Sequence, residues 1–338
     1  MGKIDFIGIG AQKAGTTWLY LRLKELPDFS FPVIREIHYF DRNPQYASAN
    51  TLSETNALKR LRNVKWVQKS LKKVIQSLLN GNPNKAKWLM KWYYLNYSDN
   101  WYLSLFNSVD KLTGEFTPSY SFLKNRDIRR IYKIAPHAKI ILLLRNPIER
   151  AWSQYRFQFI SPSKKNEYHY TSKKQKYDYR NNSIDDIVTF IDSEKQEIRS
   201  NYLKTLKNYT SIFPKNQILV GFYDAITDTP NQLLNDVVDF IGGEVNNIPL
   251  YCNIHQKNNV SPTIDIPPKI LEYLKSKYYY DIKELSDLFG GYCNNWLFDT
   301  YHEKSKNKKN ELQSTINIGN WMDNIKVNKS VFNESISS

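Results

Sequence analysis

Cysteine and long apolar runs are both scarce in this chain of 338 residues. Two cysteines, Cys252 and Cys293, are too few for a disulfide framework or a cysteine-based zinc site. The longest aliphatic run, Ile140 to Leu144, is far too short to cross a bilayer. No secretory leader pattern is visible, because Met1 runs at once into a short apolar segment. These absences lead to the expectation of a soluble, cytoplasmic protein without a membrane partner. No repeat of about 20 to 50 residues is apparent, which argues against a solenoid or propeller. Acidic residues are the minority, 33 against 48 lysines and arginines, for a net charge of +15. That balance suits a polyanionic ligand, although most such lysines belong to solvated faces. The length suffices for one large α/β domain.

What is present starts near the N-terminus, with "IGIGAQKAGTTW" from Ile7 to Trp18. An apolar strand-like segment leads into a glycine-containing turn, and "TTWLYLRLKEL" after it has the pattern of a helix with one buried face. Backbone N–H groups and a helix N-terminus converge in such a turn and favour a phosphate. The frame Gly10-x4-Gly15 is that of a nucleotide-triphosphate loop, yet Thr16 stands where its lysine belongs and Lys13 sits inside the loop. A cation in that place lies nearer the first phosphate and whatever that phosphate carries. Gln12, Lys13, Ala14, Gly15, Thr16, Thr17 and Trp18 are therefore the candidate binders of a nucleotide 5′-phosphate group.

A second segment, Lys139 to Leu144, reads as a central parallel strand covered on both faces. It ends in "RNPIERAWSQY", where Pro147 suits the first turn of a helix. A triphosphate-hydrolysing enzyme commonly has a magnesium-binding aspartate after such a strand. Arg145 stands here instead. Its planar donor fork suits a phosphate, and Ser153, two turns on, can add a hydroxyl on the same side.

These two stretches, in this order and separation, resemble the nucleotide-binding segments of sulfotransferases that use 3′-phosphoadenosine 5′-phosphosulfate (PAPS), most of all the heparan sulfate O- and N-sulfotransferases and their bacterial relatives. The resemblance implies a P-loop-like α/β fold with a central parallel sheet flanked by helices, PAPS as co-substrate and 3′-phosphoadenosine 5′-phosphate (PAP) as product, and no metal. It also implies that the first loop holds the 5′-phosphosulfate while Arg145 and Ser153 hold the 3′-phosphate.

A third segment, "EIHYF" from Glu36 to Phe40, is similar to the stretch that carries the catalytic glutamate of heparan-type enzymes. Glu36 would take the proton of an acceptor hydroxyl as the S–O bond forms, and Lys13 would stabilise charge on the leaving phosphate oxygen. The small cytosolic sulfotransferases use a histidine, so His38 is the competing base. In a strand both side chains would face one way.

Farther on, "GEFTPSY" from Gly114 to Tyr120 resembles the family's acceptor-side segment, with Phe116 where a lysine is usual. Glu115, Thr117 and Tyr120 are candidate cleft-wall residues, or parts of a structural turn, and Phe116 makes an aromatic acceptor more credible. Lys257, in "HQKNNVSP", falls where relatives close a basic loop over the nucleotide. The expected layout is a catalytic domain over residues 1–300, with an aromatic-rich helical insertion at 51–110 and a mobile polar loop at 161–182, followed by a polar tail at 301–338. The acceptor, reached through an oxygen or nitrogen, is a glycan or a small hydroxylated or phenolic metabolite, and nucleic acid is not an expected partner. Two rival readings stay open on residues alone: a nucleotide kinase and a non-catalytic basic module.

Overall fold

The computed structural model describes residues 2–106, 108, 110–160, 183–247, 253–255, 264–301 and 312–319. Six strands form one sheet: β1 (Phe6–Gly10), β2 (Phe29–Ser30), β3 (Leu112–Phe116), β4 (Lys139–Leu144), β5 (Ile218–Phe222) and β6 (Thr315–Asn317), in the order β2-β3-β1-β4-β5-β6. All neighbours are parallel except β6, which pairs antiparallel with β5. β1 and β5 are buried along their whole length and β4 from Ile140 onward, as helices on both faces require of an apolar parallel strand. β6 lies within the stretch expected to be a polar tail, and buried Ile316 and Ile318 fix it there.

The helices alternate with these strands. α1 (Thr16–Glu25) follows β1, and between β2 and β3 comes the insertion, α2 (Ala57–Leu61), α3 (Val64–Leu79), α4 (Pro83–Tyr94) and α5 (Asp99–Leu103). α6 (Asn125–Ile134) precedes β4, and α7 (Pro147–Tyr155) follows it with proline in its first turn. α8 (Ile184–Ile191), α9 (Glu194–Ser200) and α10 (Tyr202–Thr210) lead to β5. After it come α11 (Ala225–Asp228) and α12 (Pro230–Ile241), which Gly242 ends in the left-handed conformation. α13 (Pro268–Phe289) and α14 (Gly291–Tyr301), broken at Gly290, pack together over the β5 side.

The tryptophans of the insertion pack inward. Trp92 and Trp101 are buried, Trp88 stacks on Trp92 at 5.3 Å, and Tyr97 packs on Trp101 at 4.4 Å. Their rings belong to the core, not to an open cleft. Phe116 is likewise buried, its ring lying where a Cβ on Gly8 would stand. It therefore gives no support to an aromatic acceptor.

The order β3-β1-β4 sets the carboxyl ends of three strands side by side. The loop after β1, Thr117 after β3 and Arg145 after β4 thus converge, as ligand-binding segments do in open α/β sheets.

Candidate active site

The turn after β1 ends at Gly15, which caps α1 in the left-handed conformation at φ 88° with no side-chain cap on the helix. A Cβ there would also push the tip of the Ile226 side chain aside, so the left-handed backbone is the main reason for glycine. Gly15 offers no side-chain cap to the first-turn N–H groups of α1, which leaves them as candidate donors for an anion. Lys13 too is left-handed, at φ 71°, which for a side chain with Cβ is an uncommon and strained state. Its ammonium sits 4.1 Å from the Phe157 ring centroid. Burial first, and then the charges of Arg145, Arg156 and Arg150, lower its pKa to about 8.

Arg145 reaches back to this loop, donating to the Lys13 carbonyl at 3.3 Å and to Glu149 at 3.3 Å, and it lies over the Tyr223 ring at 4.1 Å. The Glu149 pair is real, yet the buried Arg145 Nε has no acceptor among the described residues. Ser153 is buried on α7. Gln12 accepts from Arg199, whose own pKa is lowered to about 10, by burial first and then by Arg150. Four cations, Lys13, Arg145, Arg150 and Arg199, thus lie near one another, with Glu149 on Arg145 as the carboxylate paired to them among the described residues, an arrangement that suits a phosphate. Ala14 and Trp18 are buried, and the Trp18 indole donates to the Ile254 carbonyl at 3.2 Å, so only their backbone can serve a ligand. Lys257, Cys252 and the loop at 161–182 lie outside the described residues. Cys293 is a buried free thiol.

The segment from Val33 to Asp41 is an irregular loop and not the strand that would set Glu36 and His38 on one side. They meet all the same. His38 is left-handed at φ 57°, and its Nε2 comes to 3.5 Å from Glu36 Oε2. Its Nδ1 lies 2.8 Å from Asp41, a fully buried carboxylate that also accepts from Ser119 Oγ. Arg35 binds the other Glu36 oxygen and donates to Thr17 Oγ1 at 2.8 Å, tying the carboxylate to the start of α1. Arg42 does not join them; it donates to the Tyr97 carbonyl and covers the Tyr39 ring.

These contacts set the charges. Burial would push the Glu36 carboxyl up, but the His38 hydrogen bond and the Arg35 charge outweigh it and hold the pKa near about 2. Burial would likewise lower His38, but Asp41 and Glu36 together raise it to about 10. At neutral pH the pair is therefore carboxylate and imidazolium.

The segment after β3 carries the loop from beneath. Ile37 N–H donates to Thr117 Oγ1 at 3.0 Å and to Glu115 at 3.3 Å, and Tyr39 N–H donates to Tyr120 Oη at 2.9 Å. Glu115 is fully buried and also accepts from Tyr102, Thr117 and Tyr120. Glu115, Thr117 and Tyr120 are supports of the loop, not the wall of a cleft. The sequence singles out neither Asp41 nor Arg199, and offers Arg35 only as a surface partner of Glu36, a pairing that the structure contains. Asp41 stands a helical step from His38 and Arg35 beside Glu36, but neighbouring charges in sequence do not say which faces the other.

A solvent-open cavity of about 570 Å³ borders the far end of this loop, lined by Phe40, Arg42, Asp99, Asp127, Arg130 and Lys133 among others. Lys13, Glu36 and His38 do not line it, so it is separate from the candidate site.

Comparison with known proteins identifies the family. The sulfotransferase domain model matches residues 3–264. A membrane-associated sulfotransferase of Dictyostelium discoideum, kil1, is 32% identical over 153 residues, covering 45% of this chain and 22% of that protein's length. The chain thus spans about a fifth of that relative. The fold is similar to a crystal structure of a sulfotransferase from Alicyclobacillus acidocaldarius, with a TM-score of 0.55 and 20% identity over 88% of this chain and 99% of that one. With the family match extending over more than half its length, the chain belongs to the sulfotransferase family.

Proposed function

We propose that this chain moves the sulfuryl group of PAPS to a hydroxyl or amine of an acceptor, a glycan or a small hydroxylated metabolite, with Glu36 as the base. The observation that carries this reading is Glu36, held as a carboxylate and tied through Arg35 to Thr17 at the start of the phosphate-binding helix.

The N–H groups of Gly15, Thr16, Thr17 and Trp18 and the ammonium of Lys13 would hold the 5′-phosphosulfate. Arg145, with a buried nitrogen lacking an acceptor among the described residues, and Ser153 would hold the 3′-phosphate. Gln12, fixed by Arg199, closes the side of the loop. Lys257 is retained as a further nucleotide contact on the sequence reading alone.

In the transfer, the acceptor oxygen forms a bond to sulfur as the bond from sulfur to the 5′-phosphate oxygen breaks. Lys13 stabilises the charge arriving on that phosphate, and Glu36 receives the acceptor proton. A carboxylate of low pKa suffices as base, because the acceptor hydroxyl becomes strongly acidic once sulfur is bonded to it. His38 already carries its proton at neutral pH, bonds to Asp41 through Nδ1 and pairs with Glu36 at 3.5 Å through Nε2, which makes it a positioning residue rather than the base.

The proposed catalytic domain takes in residues 1–300 and, because β6 completes the sheet, the strand Thr315–Asn317. No helix among the described residues is long and apolar enough to cross a membrane. The proposed location is cytoplasmic, resting on the sequence alone. Titration of the purified protein with PAP, PAPS and ATP in the absence of magnesium tests the donor: tight binding of the first two over ATP supports the reading, and preference for ATP overturns it.

A further inference from the structure

Helix α3 wears its apolar residues on the outside. Val64, Leu71, Ile75 and Leu78 are 67%, 48%, 52% and 54% exposed, while two serines, Ser70 and Ser77, are buried with Val74 on the packed face that borders the stripe on one side. At 100° per residue the four exposed residues fall within about 60° of the helix circumference, so they form one continuous stripe along its length. Leu79, 82% exposed, widens it at the end.

The charge around the stripe has one sign. From Thr55 to Ser98 the chain holds ten lysines and arginines and no aspartate or glutamate, which is most of the excess behind the net charge of +15. Lys65, Lys69 and Lys72 flank the stripe on the solvent side of α3. A helix with an exposed aliphatic stripe edged by lysines, and no acid to repel a negative surface, has the properties of an interfacial helix lying in the headgroup region.

We propose that α3 is a membrane-docking face, which seats the enzyme on an anionic phospholipid surface with Leu71, Ile75 and Leu78 in the acyl boundary and the lysines among the headgroups. Charge complementarity selects this occupant. A second copy of the chain would bring ten like charges against ten, and a nucleic acid would satisfy the lysines but leave the leucines in water. The proposal departs from the expectation of no membrane partner, which rested on the lack of a spanning segment. The proposal does not depend on the donor or on the identity of the base.

The test is flotation of the purified full chain with vesicles of phosphatidylcholine alone and with vesicles in which about a third of the lipid is phosphatidylserine. Binding at least about tenfold tighter to the anionic vesicles, weakened by about 0.5 M salt, is expected. The triple variant Leu71→Ser/Ile75→Ser/Leu78→Ser should lose about tenfold or more of that affinity. Lys65→Glu/Lys69→Glu/Lys72→Glu should do the same, and PAP should bind both variants as it binds the parent. The substituted positions are exposed, so folding is little affected. No binding to anionic vesicles overturns the proposal, as does binding that the serine variant leaves intact, which would mean lysine adsorption alone. A dimer of the parent in sedimentation velocity that the serine variant dissolves, without vesicle binding, would assign the face to a second copy instead.

Discussion

His38 Nε2 stands 3.5 Å from Glu36 Oε2, and the same ring is held from behind by the buried carboxylate of Asp41. The ring is therefore a charged spacer that keeps Glu36 ionised and aimed, and it gives up its proton only well above neutral pH.

A consequence is a flat acid limb. With Glu36 at about 2 and His38 at about 10, kcat/KM for the best acceptor of a glycan and phenol panel should show no inflection near the ordinary histidine value. Removing the ring in His38→Ala takes away the hydrogen bond that lowers Glu36, so its pKa should rise and the acid limb should move upward into the measurable range. A modest loss of rate, about tenfold, should accompany it. An inflection near about 6.5 in the parent that vanishes in His38→Ala would make the histidine the base.

Lys13 should couple donor binding to pH. Its free ammonium has a pKa lowered to about 8, and a bound phosphate favours the charged form, so binding raises it again. PAP affinity should hold steady below that value and fall by up to about tenfold per pH unit above it. Calorimetric titration at pH values on either side should show this in the parent and not in Lys13→Met.

Arg145→Ala should weaken PAP by about tenfold to a hundredfold, the loss of a charge-assisted contact of about 1.5–3 kcal/mol. Adenosine 5′-phosphosulfate, which lacks the 3′-phosphate, should bind parent and variant almost equally. Equal losses for both ligands would place Arg145 elsewhere than on the 3′-phosphate.

Glu115 ties catalysis to stability. Burial raises its pKa to about 7, against the hydrogen bonds from Thr117, Tyr102, Ile37 and Tyr120 that lower it. Because the folded value lies above the ordinary one, the folded state binds the extra proton, and stability falls as pH rises between the two. The loss amounts to about 3 kcal/mol and is complete above about pH 7. Urea unfolding at pH 5 and pH 8 should show a smaller pH difference in Glu115→Gln than in the parent. An equal difference in both would remove Glu115 as the source.

Much of this arrangement is legible in the residues. The apolar run Ile140–Leu144 is the buried part of β4, the helix reading at Thr16 matches α1 within a residue, and Gly10 and Gly15 bracket the loop that the frame implies. Lys13 stood out as a candidate by its place in the Gly10-x4-Gly15 frame, Arg145 by following an apolar strand, and Glu36 only through the resemblance of "EIHYF" to the heparan-type segment. What stayed hidden was set by distant contacts. The loop around Glu36 has no period to read, since its shape comes from Glu115, Thr117 and Tyr120, roughly eighty residues away in the chain, and the left-handed turn at His38 carries no sequence signal. Phe116 looked like a cleft residue by position and proved to be core because Gly8 leaves room for its ring. The outward stripe of α3 was concealed for a related reason: amphipathic spacing does not tell which face is packed.

The most direct measurement is a comparison of Glu36→Gln with the parent in transfer of labelled sulfuryl from PAPS to the best acceptor of the panel, with PAP affinity determined on the same samples. The amide preserves shape and a hydrogen-bonding head but cannot take the proton. The account predicts unchanged PAP affinity and a fall in turnover of about 10²–10⁴-fold. Turnover equal to the parent's, with PAP bound as tightly, would contradict it.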